Sequence, residues 1–498
     1  MMELNREYTK YGRQVGYGIG ANIALLLFGF IRLPILTKGL GATLYGTWSL
    51  INVTISLIVP FALLGLGLAI VRFLAAEKNR GRIREDFLSA YSIVFISGAV
   101  FSVFLFLFSD YLAASIFKDI NSSFYIKLAS ILILFNSIDA LALAFFRMQK
   151  KIGLFTSLNL SRNAFQLGLI VLSLLLGYKL TGVITAIIVS GVLFCLIELF
   201  ISLRQVGFHI PRFSNMKSYL KWGVPLTPNS ALVWIMHVSD RYMVSYFMGI
   251  TAAGIYSAAY GIGEYASFTL VALSTVLYPT TIKSYEEGNL SETRKYLKYS
   301  LKYFMMIAIP SAFGLSILAK PVLSILTTPE FAIGTTVVPF VAFGVILFGL
   351  CQICLYIFNI ANKTHLTVRL LGTSAALNII LNIILIPRMG IVGAAIATLI
   401  AYGVLSILTL LVSRRYLRFD LSITFTLKVI LASTIMTLCI WFINPESITL
   451  VIISIFAGVL IYSGGLLLVK GLSKSEIAFF VNFAKDNLRK ILFIDSEG

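Results

Sequence analysis

The chain returns again and again to apolar runs long enough to cross a bilayer, and this repetition limits its fold more than any motif. Fourteen such runs are readable, at about 14–37, 45–71, 88–109, 124–146, 154–176, 180–203, 222–248, 252–282, 300–319, 333–360, 365–386, 390–413, 424–443 and 447–469. A helix of about 20 apolar residues crosses the hydrocarbon layer. Within lipid, only helices and closed barrels satisfy their own backbone. Barrel strands alternate polar and apolar residues over about ten positions, and "LILFNSIDALALAFF" (Leu132–Phe146) does not alternate. The expected fold is an all-α polytopic membrane protein with fourteen transmembrane helices. Only 12% of the residues are charged, about half the share in a soluble domain. That composition excludes a water-soluble globular protein, a disordered chain and a disulfide-rich secreted module.

Charge then orients the helices. There are 40 Lys and Arg against 21 Asp and Glu, a net +19. In a soluble chain this excess points to nucleic acid; here it sorts by loop. One side collects Arg6, Lys10 and Arg13, the run Arg72–Arg84, the loops near 150, 215, 295, 365 and 415, and the final segment. The other side holds only Lys38, Lys118, Lys127, Lys179, Lys320 and Arg388. The positive-inside rule places both termini in the cytoplasm, which an even number of spans permits. No nucleic-acid partner is expected.

Other classes find little support. The first span carries Arg32 and lacks a small-residue cleavage site, so it is not expected to be a cleaved signal. Cys351 and Cys354 make a C-x-x-C with no second pair or histidine cluster, so packing outweighs a metal or redox role. No outer loop exceeds about fifteen residues, and no P-loop is present. The chain is expected not to be an enzyme and to carry neither cofactor nor metal.

A shift of 208 residues lays "GATLYGTWSL" (Gly41–Leu50) over "GITAAGIYSA" (Gly249–Ala258), matching Gly41 with Gly249, Thr43 with Thr251, Gly46 with Gly254 and Ser49 with Ser257. A related shift of 211 aligns "LTGVITAI" (Leu180–Ile187) with "IVGAAIAT" (Ile391–Thr398). The pattern divides the chain into a six-helix lobe at 1–210, a second at 211–418, two extra helices at 419–470, and a basic amphipathic tail at 471–498. Six being even, both lobes enter from the cytoplasm as parallel repeats. Transporters commonly hold substrate between such halves.

"LNIILNIILIPRMGIVGAAIATLIAYGV" (Leu377–Val404) resembles the span 11–12 signature of the multidrug/oligosaccharidyl-lipid/polysaccharide exporter superfamily. "GLGATLYGTWSL" (Gly39–Leu50) resembles the first outer turn of its polysaccharide-transport branch. The resemblance covers nearly the whole chain. It implies a flippase that moves polyprenyl-diphosphate-linked oligosaccharides from the inner to the outer leaflet of the cell membrane by alternating access, with a cationic central cavity. It leaves two alternatives open, a multidrug or organic-cation antiporter and a lipid-linked peptidoglycan-precursor flippase. The implied partners are the lipid-linked oligosaccharide and membrane lipids, with H⁺ or Na⁺ open as coupling ion and a monomer as the working unit.

Ionisable residues inside spans are costly and therefore candidates for function. Arg32 in span 1 and Arg241 in span 7 occupy nearly equivalent places in the two repeats, and two guanidinium forks facing each other suit a diphosphate. They are the expected substrate-binding pair. Asp240, Glu264, His237, Arg162 and Asp139 are candidates for a cavity ion pair or for coupling, with neutralisation of Arg241 by Asp240 or Glu264 as the plainer role. His237 has the plainer role of a hydrogen-bonded interior residue. Glu198 is expected within reach of cytoplasmic water. Gly12, Gly16 and Gly20 form a close-packing face, Pro34, Pro225, Pro228, Pro279, Pro310 and Pro339 are candidate bends, and Asn378 with Asn382 shares one helix face.

Overall fold

The computed structural model describes residues 2–268, 270, 280–420, 422–473 and 476–478. Of the features named above, Pro279 and the tail beyond 478 lie outside the described residues, as do the surroundings of Gly12 and Gly16. Among the described residues there are helices and no strands. The first repeat contains α1 (Met2–Ala62), α2 (Leu66–Leu74), α3 (Arg80–Leu112), α4 (Ser122–Ala129), α5 (Leu132–Met148), α6 (Ile152–Leu175) and α7 (Lys179–Val206). The second contains α8 (Met216–Gly223), α9 (Thr227–Met248), α10 (Ile250–Glu264), α11 (Leu290–Ile317), α12 (Ala319–Leu326), α13 (Val337–Ile360) and α14 (Thr364–Ser413). Then come α15 (Ile423–Ile443) and α16 (Ile448–Leu468).

Ten helical stretches among the described residues are long and apolar enough to cross a membrane. Two are double. The stretch containing α1 breaks at Gly41 (φ 72°, ψ 173°) and α14 breaks at Gly390 (φ 62°). Of the expected proline bends, Pro34 and Pro310 sit inside helices, Pro225 in the 3₁₀ turn before α9, and Pro228 and Pro339 in the first turns of α9 and α13. Side chains that would be excluded from a water-exposed surface cover the outside of the bundle: Leu107, Leu175 and Leu460 are each at least 69% exposed. In lipid that exposure carries no hydrophobic penalty.

The sequence repeat has a direct geometric counterpart. Gly249, between α9 and α10, adopts φ 89°, ψ 170°, close to the angles of Gly41. Both are left-handed extended positions, which only glycine takes without strain. Each glycine starts a helix, and these two helices cross. Thr43 meets Thr251 through their hydroxyls at 2.9 Å, and Ser49 donates to Ser257 at 2.7 Å. Between these pairs the backbones touch: a Cβ on Gly46 would lie 2.1 Å from the Ile250 carbonyl oxygen, and one on Gly254 would lie 2.2 Å from that of Ala42. Every contact joins a residue to its own repeat partner or exchanges the two partners' neighbours. Such reciprocity is the mark of a two-fold axis running through the crossing.

A second junction joins the repeats farther along. Gly65 lies against the backbone of Gly223, Phe73 stacks on Tyr219 with ring centres 4.8 Å apart, and Arg72 lies over Trp222 at 4.6 Å. Asp86, fully buried on α3, accepts from Asn215 Nδ2 at 3.0 Å and from the Tyr219 hydroxyl at 2.8 Å. The segment between the repeats is thereby held to the first of them.

Candidate functional site

Arg241 lies on α9, one residue after Asp240, so the two side chains leave the helix about 100° apart. Asp240 turns into the second lobe. It is 1% exposed, accepts from the Tyr256 hydroxyl at 2.5 Å and from Thr398 Oγ1 at 3.4 Å, and leaves Oδ1 without a hydrogen-bond partner. Asn378 donates to Thr398 Oγ1 at 3.3 Å, and Asn382 donates to Asn378. Asn378 and Asn382 thus belong to a buried network that holds Asp240, with no lipid-facing role.

Arg241 is half-buried and, among the described residues, forms no ion pair with Asp240 or Glu264. Its guanidinium lies over the Tyr260 ring at 4.9 Å, and its Nε has no hydrogen-bond partner. Asp240 and Glu264 do act on it electrostatically from farther away. Cation–π contact supports a desolvated cation while leaving its donors free. Glu264 itself is exposed, on the last turn of α10.

Arg32, on the first half of the broken α1, is half-buried and likewise has no ion pair among the described residues. Tyr45 lies within electrostatic reach of both Arg32 and Arg241, and Tyr265 within reach of Arg32. The two arginines, one from each half of the chain, thus act electrostatically on the same tyrosine. His237 is bonded through Nδ1 to the Tyr402 hydroxyl at 3.0 Å and packs edge-on against Phe348. Trp234 and Tyr242, which the sequence did not single out, tie α9 to α1: Trp234 Nε1 donates to the Val53 carbonyl at 3.0 Å, and the Tyr242 hydroxyl meets Thr54 at 2.5 Å. Trp234 lies two turns before Arg241 and Tyr242 directly follows it, so both leave α9 within about 100° of the arginine, and nothing in the local sequence pattern sets them apart.

Beside Arg32 opens a large apolar groove of about 860 Å³. It runs between α11 and the extra pair α15–α16, and Phe30, Tyr265, Met306, Pro310, Met436 and Tyr462 are among its walls. Phe30 and Tyr265 meet edge to face at 5.9 Å at its inner end, so the groove reaches the helix turn that carries Arg32.

The remaining charged candidates lie elsewhere. Arg162 on α6 is ion-paired with Asp139 on α5. Glu198 corrects the sequence expectation. It is 1% exposed and faces Asp139 and Arg162, because the rotation of α7 turns it into the lobe and away from water. Cys351 and Cys354 are buried and unbridged, with Cys351 Sγ 3.4 Å from Thr409 Oγ1, and no metal-type cluster occurs among the described residues.

The model for the polysaccharide biosynthesis protein family matches residues 11–285, more than half of the chain. The chain belongs to this family. A second model, MatE, matches residues 225–384, and together the two place the chain in the exporter superfamily that the sequence resembles. A "probable low-salt glycan biosynthesis flippase" of Haloferax volcanii is 24% identical over 261 residues, 51% of this chain and 54% of that one. A "probable flippase" of the same organism is 28% identical over 171 residues, 34% and 36% of the two chains. A "probable lipid II flippase" of Rickettsia prowazekii is 23% identical over 289 residues, 54% and 56% of the two chains. The chain thus spans about a third to just over half of the length of these curated relatives. Among solved structures, a lipid II flippase in an inward closed conformation superposes with a TM-score of 0.74 at 20% identity, covering 91% of this chain and 98% of that one. An inward-facing multidrug resistance transporter of the same superfamily gives 0.69 at 16% identity, covering 78% and 93%. The family member described here therefore has the fold of these transporters.

Proposed function

We propose that the protein is a flippase for polyprenyl-diphosphate-linked oligosaccharides, carrying glycan precursors from the inner to the outer leaflet of the cell membrane by alternating access. The observation that carries this reading is a pair of arginines free of carboxylate partners among the described residues, one of them, Arg32, on the helix turn that an apolar groove reaches. An amphiphile with a long hydrocarbon tail and an anionic head matches both features at once. Arg32 and Arg241 bind the diphosphate, the sugar occupies the space between the lobes, and the tail stays in the groove. The names of the Haloferax relatives point the same way.

The architecture that serves this function has fourteen spans. The breaks at Gly41 and Gly390 divide two long helices, and α9 and α10 supply two more spans. Both termini face the cytoplasm, lobes at 1–210 and 211–418 rock about the glycine crossing, and the protein works as a monomer. Coupling is to H⁺ or Na⁺. An inside-negative potential adds about 2.3 kcal/mol per anionic charge moved outward per 100 mV.

A peptidoglycan-precursor flippase is the second reading, favoured by the near full-length likeness to a lipid II flippase. An organic-cation antiporter is opposed by two intramembrane arginines that lack carboxylate partners among the described residues. The test replaces Arg32 and Arg241 separately with alanine and follows lipid-linked glycan in cells. Loss of export, with the intermediate accumulating on the cytoplasmic leaflet, is expected. Normal export at normal protein level refutes the anion site, and rescue of peptidoglycan synthesis in place of glycan export selects the second reading.

A further inference from the structure

The first lobe contains a charged centre that the diphosphate site does not use. Asp139, Arg162 and Glu198 come from three different helices, α5, α6 and α7, and α7 packs against both of the others. Glu198 lies eight residues from the end of α7, Asp139 nine from the end of α5 and Arg162 ten from the start of α6. At 1.5 Å per residue, all three sit about 12–15 Å from those helix ends. They therefore share one depth well inside the bilayer.

The charges do not balance. Arg162 is ion-paired with Asp139. Glu198 is 1% exposed, its Oε2 has no hydrogen-bond partner, and the charges acting on it are those of Asp139 and Arg162 alone among the described residues. The other titratable groups facing it are neutral ones, Cys195 one turn earlier on α7 and Tyr91 from α3. The Cys195 thiol is itself occupied, 3.4 Å from the Phe135 carbonyl. With both carboxylates ionised, the triad would hold one uncompensated negative charge away from water, a state that low-polarity surroundings strongly oppose. Two carboxylates sharing one cation resolve this by keeping one proton.

We propose that the Asp139–Arg162–Glu198 triad is a proton-binding site and the coupling site of transport, with Glu198 the carrier. While α5, α6 and α7 enclose Glu198, the proton stays. When lobe movement admits water, the Glu198 O–H bond breaks, the proton passes to water on that side, and the carboxylate is reprotonated from the other side on return. The coupling role rests on the transport function proposed above; the proton site does not.

The test begins with infrared difference spectra of the full-length protein in lipid nanodiscs at neutral pH, following the carbonyl stretch of a protonated carboxylic acid. Wild type is expected to show the band. Glu198→Gln loses it, because Asp139 and Arg162 then balance. Asp139→Asn also loses it although Glu198 remains, because Glu198 ionises to pair with Arg162. Arg162→Gln keeps it. A band unchanged in both carboxyl variants overturns the proton site, and a band abolished by added Na⁺ at constant pH assigns the site to Na⁺ and overturns the proposal. The second arm measures glycan export from vesicles under an imposed pH gradient. Wild type responds to the gradient and Glu198→Gln does not; a Glu198→Gln response equal to wild type overturns the coupling role. Absence of glycan export by the wild type counts against the flippase function, and the spectra decide the site regardless.

Discussion

Replacing Gly46 with alanine puts a methyl group 2.1 Å from the backbone oxygen of Ile250, where ordinary contact begins at 3.4 Å. The obstruction is backbone, so no side-chain rotation relieves it, and the two crossing helices must part by about 1.3 Å at that point, which tightly packed interiors resist. Such overpacking costs about 1–3 kcal/mol. Parting also stretches the Thr43–Thr251 and Ser49–Ser257 bonds, now 2.9 and 2.7 Å, beyond hydrogen-bonding reach. Interhelical hydrogen bonds in membranes average about 0.6 kcal/mol each, which brings the expected loss to about 2–4 kcal/mol. Gly254→Ala is expected to match it, because Gly254 faces the Ala42 carbonyl in the mirror-related contact. The double variant is expected to cost clearly less than the two single losses added together, since helices already parted accommodate the second methyl. Gly261→Ala is the control: it lies on the same helix, α10, with nothing within 4 Å of its Cβ position, and the gain in helix propensity makes it neutral or stabilising. Reversible unfolding in bicelles, read as a double-mutant cycle, measures all four. Should Gly46→Ala prove as mild as Gly261→Ala, or the two losses simply add, the close two-fold crossing is refuted.

Tyr256→Phe removes the 2.5 Å bond that holds the buried Asp240 carboxylate and is expected to lower stability by about 1.5–3 kcal/mol; an unchanged unfolding midpoint contradicts it. Asp86→Ala leaves the Asn215 amide and Tyr219 hydroxyl without their acceptor, a cost of about 1–3 kcal/mol per buried group, and hydrogen exchange over 213–219 should rise. Glu476 lies outside the membrane. Partial burial raises its pKa, but the bonds from Lys302 at 2.5 Å and from Ser473 outweigh that and hold it below the ordinary carboxylate range. A depressed folded-state pKa means this contribution is complete above the ordinary carboxylate pKa and is lost as pH falls through the folded value. Protection of the Ser473 amide, which donates to Glu476 Oε2 at 2.9 Å, should therefore fall on acidification, and Lys302→Ala should move that midpoint upward.

The spans were legible because lipid forces each helix to satisfy its own backbone, which makes long apolar runs nearly synonymous with helices. The boundaries were legible where glycine needs a left-handed φ, as at Gly41, Gly249 and Gly390. Short elements escaped. Helix α12 lies between spans, where hydropathy says little, and the 3₁₀ turn at Pro329–Thr336 runs straight into an apolar span that hides it. The span expected at 252–282 also breaks, with α10 ending at Glu264 in a 3₁₀ turn. Among the candidate residues, Arg32 and Arg241 stood out because an arginine inside an apolar run is rare. Glu198 was misplaced because distance from a helix end is readable along the chain, whereas the direction in which a helix face points is not.

By itself, the sequence determined that this is a helical membrane protein with an internal repeat and a small set of costly intramembrane charges. Those properties depend on local periodicity and on the energetics of charge in lipid. Tertiary structure alone decided which charges are neutralised. Asp240, adjacent to Arg241 in the chain, is held by Tyr256 and Thr398, leaving Arg241 over Tyr260 without a salt bridge. Arg162 and Asp139, 23 residues apart, meet with Glu198 inside one lobe. The physical reason is that an ion pair needs ångström-scale contact between faces of different helices. Helix rotation and crossing set those faces, and both are products of packing the whole bundle.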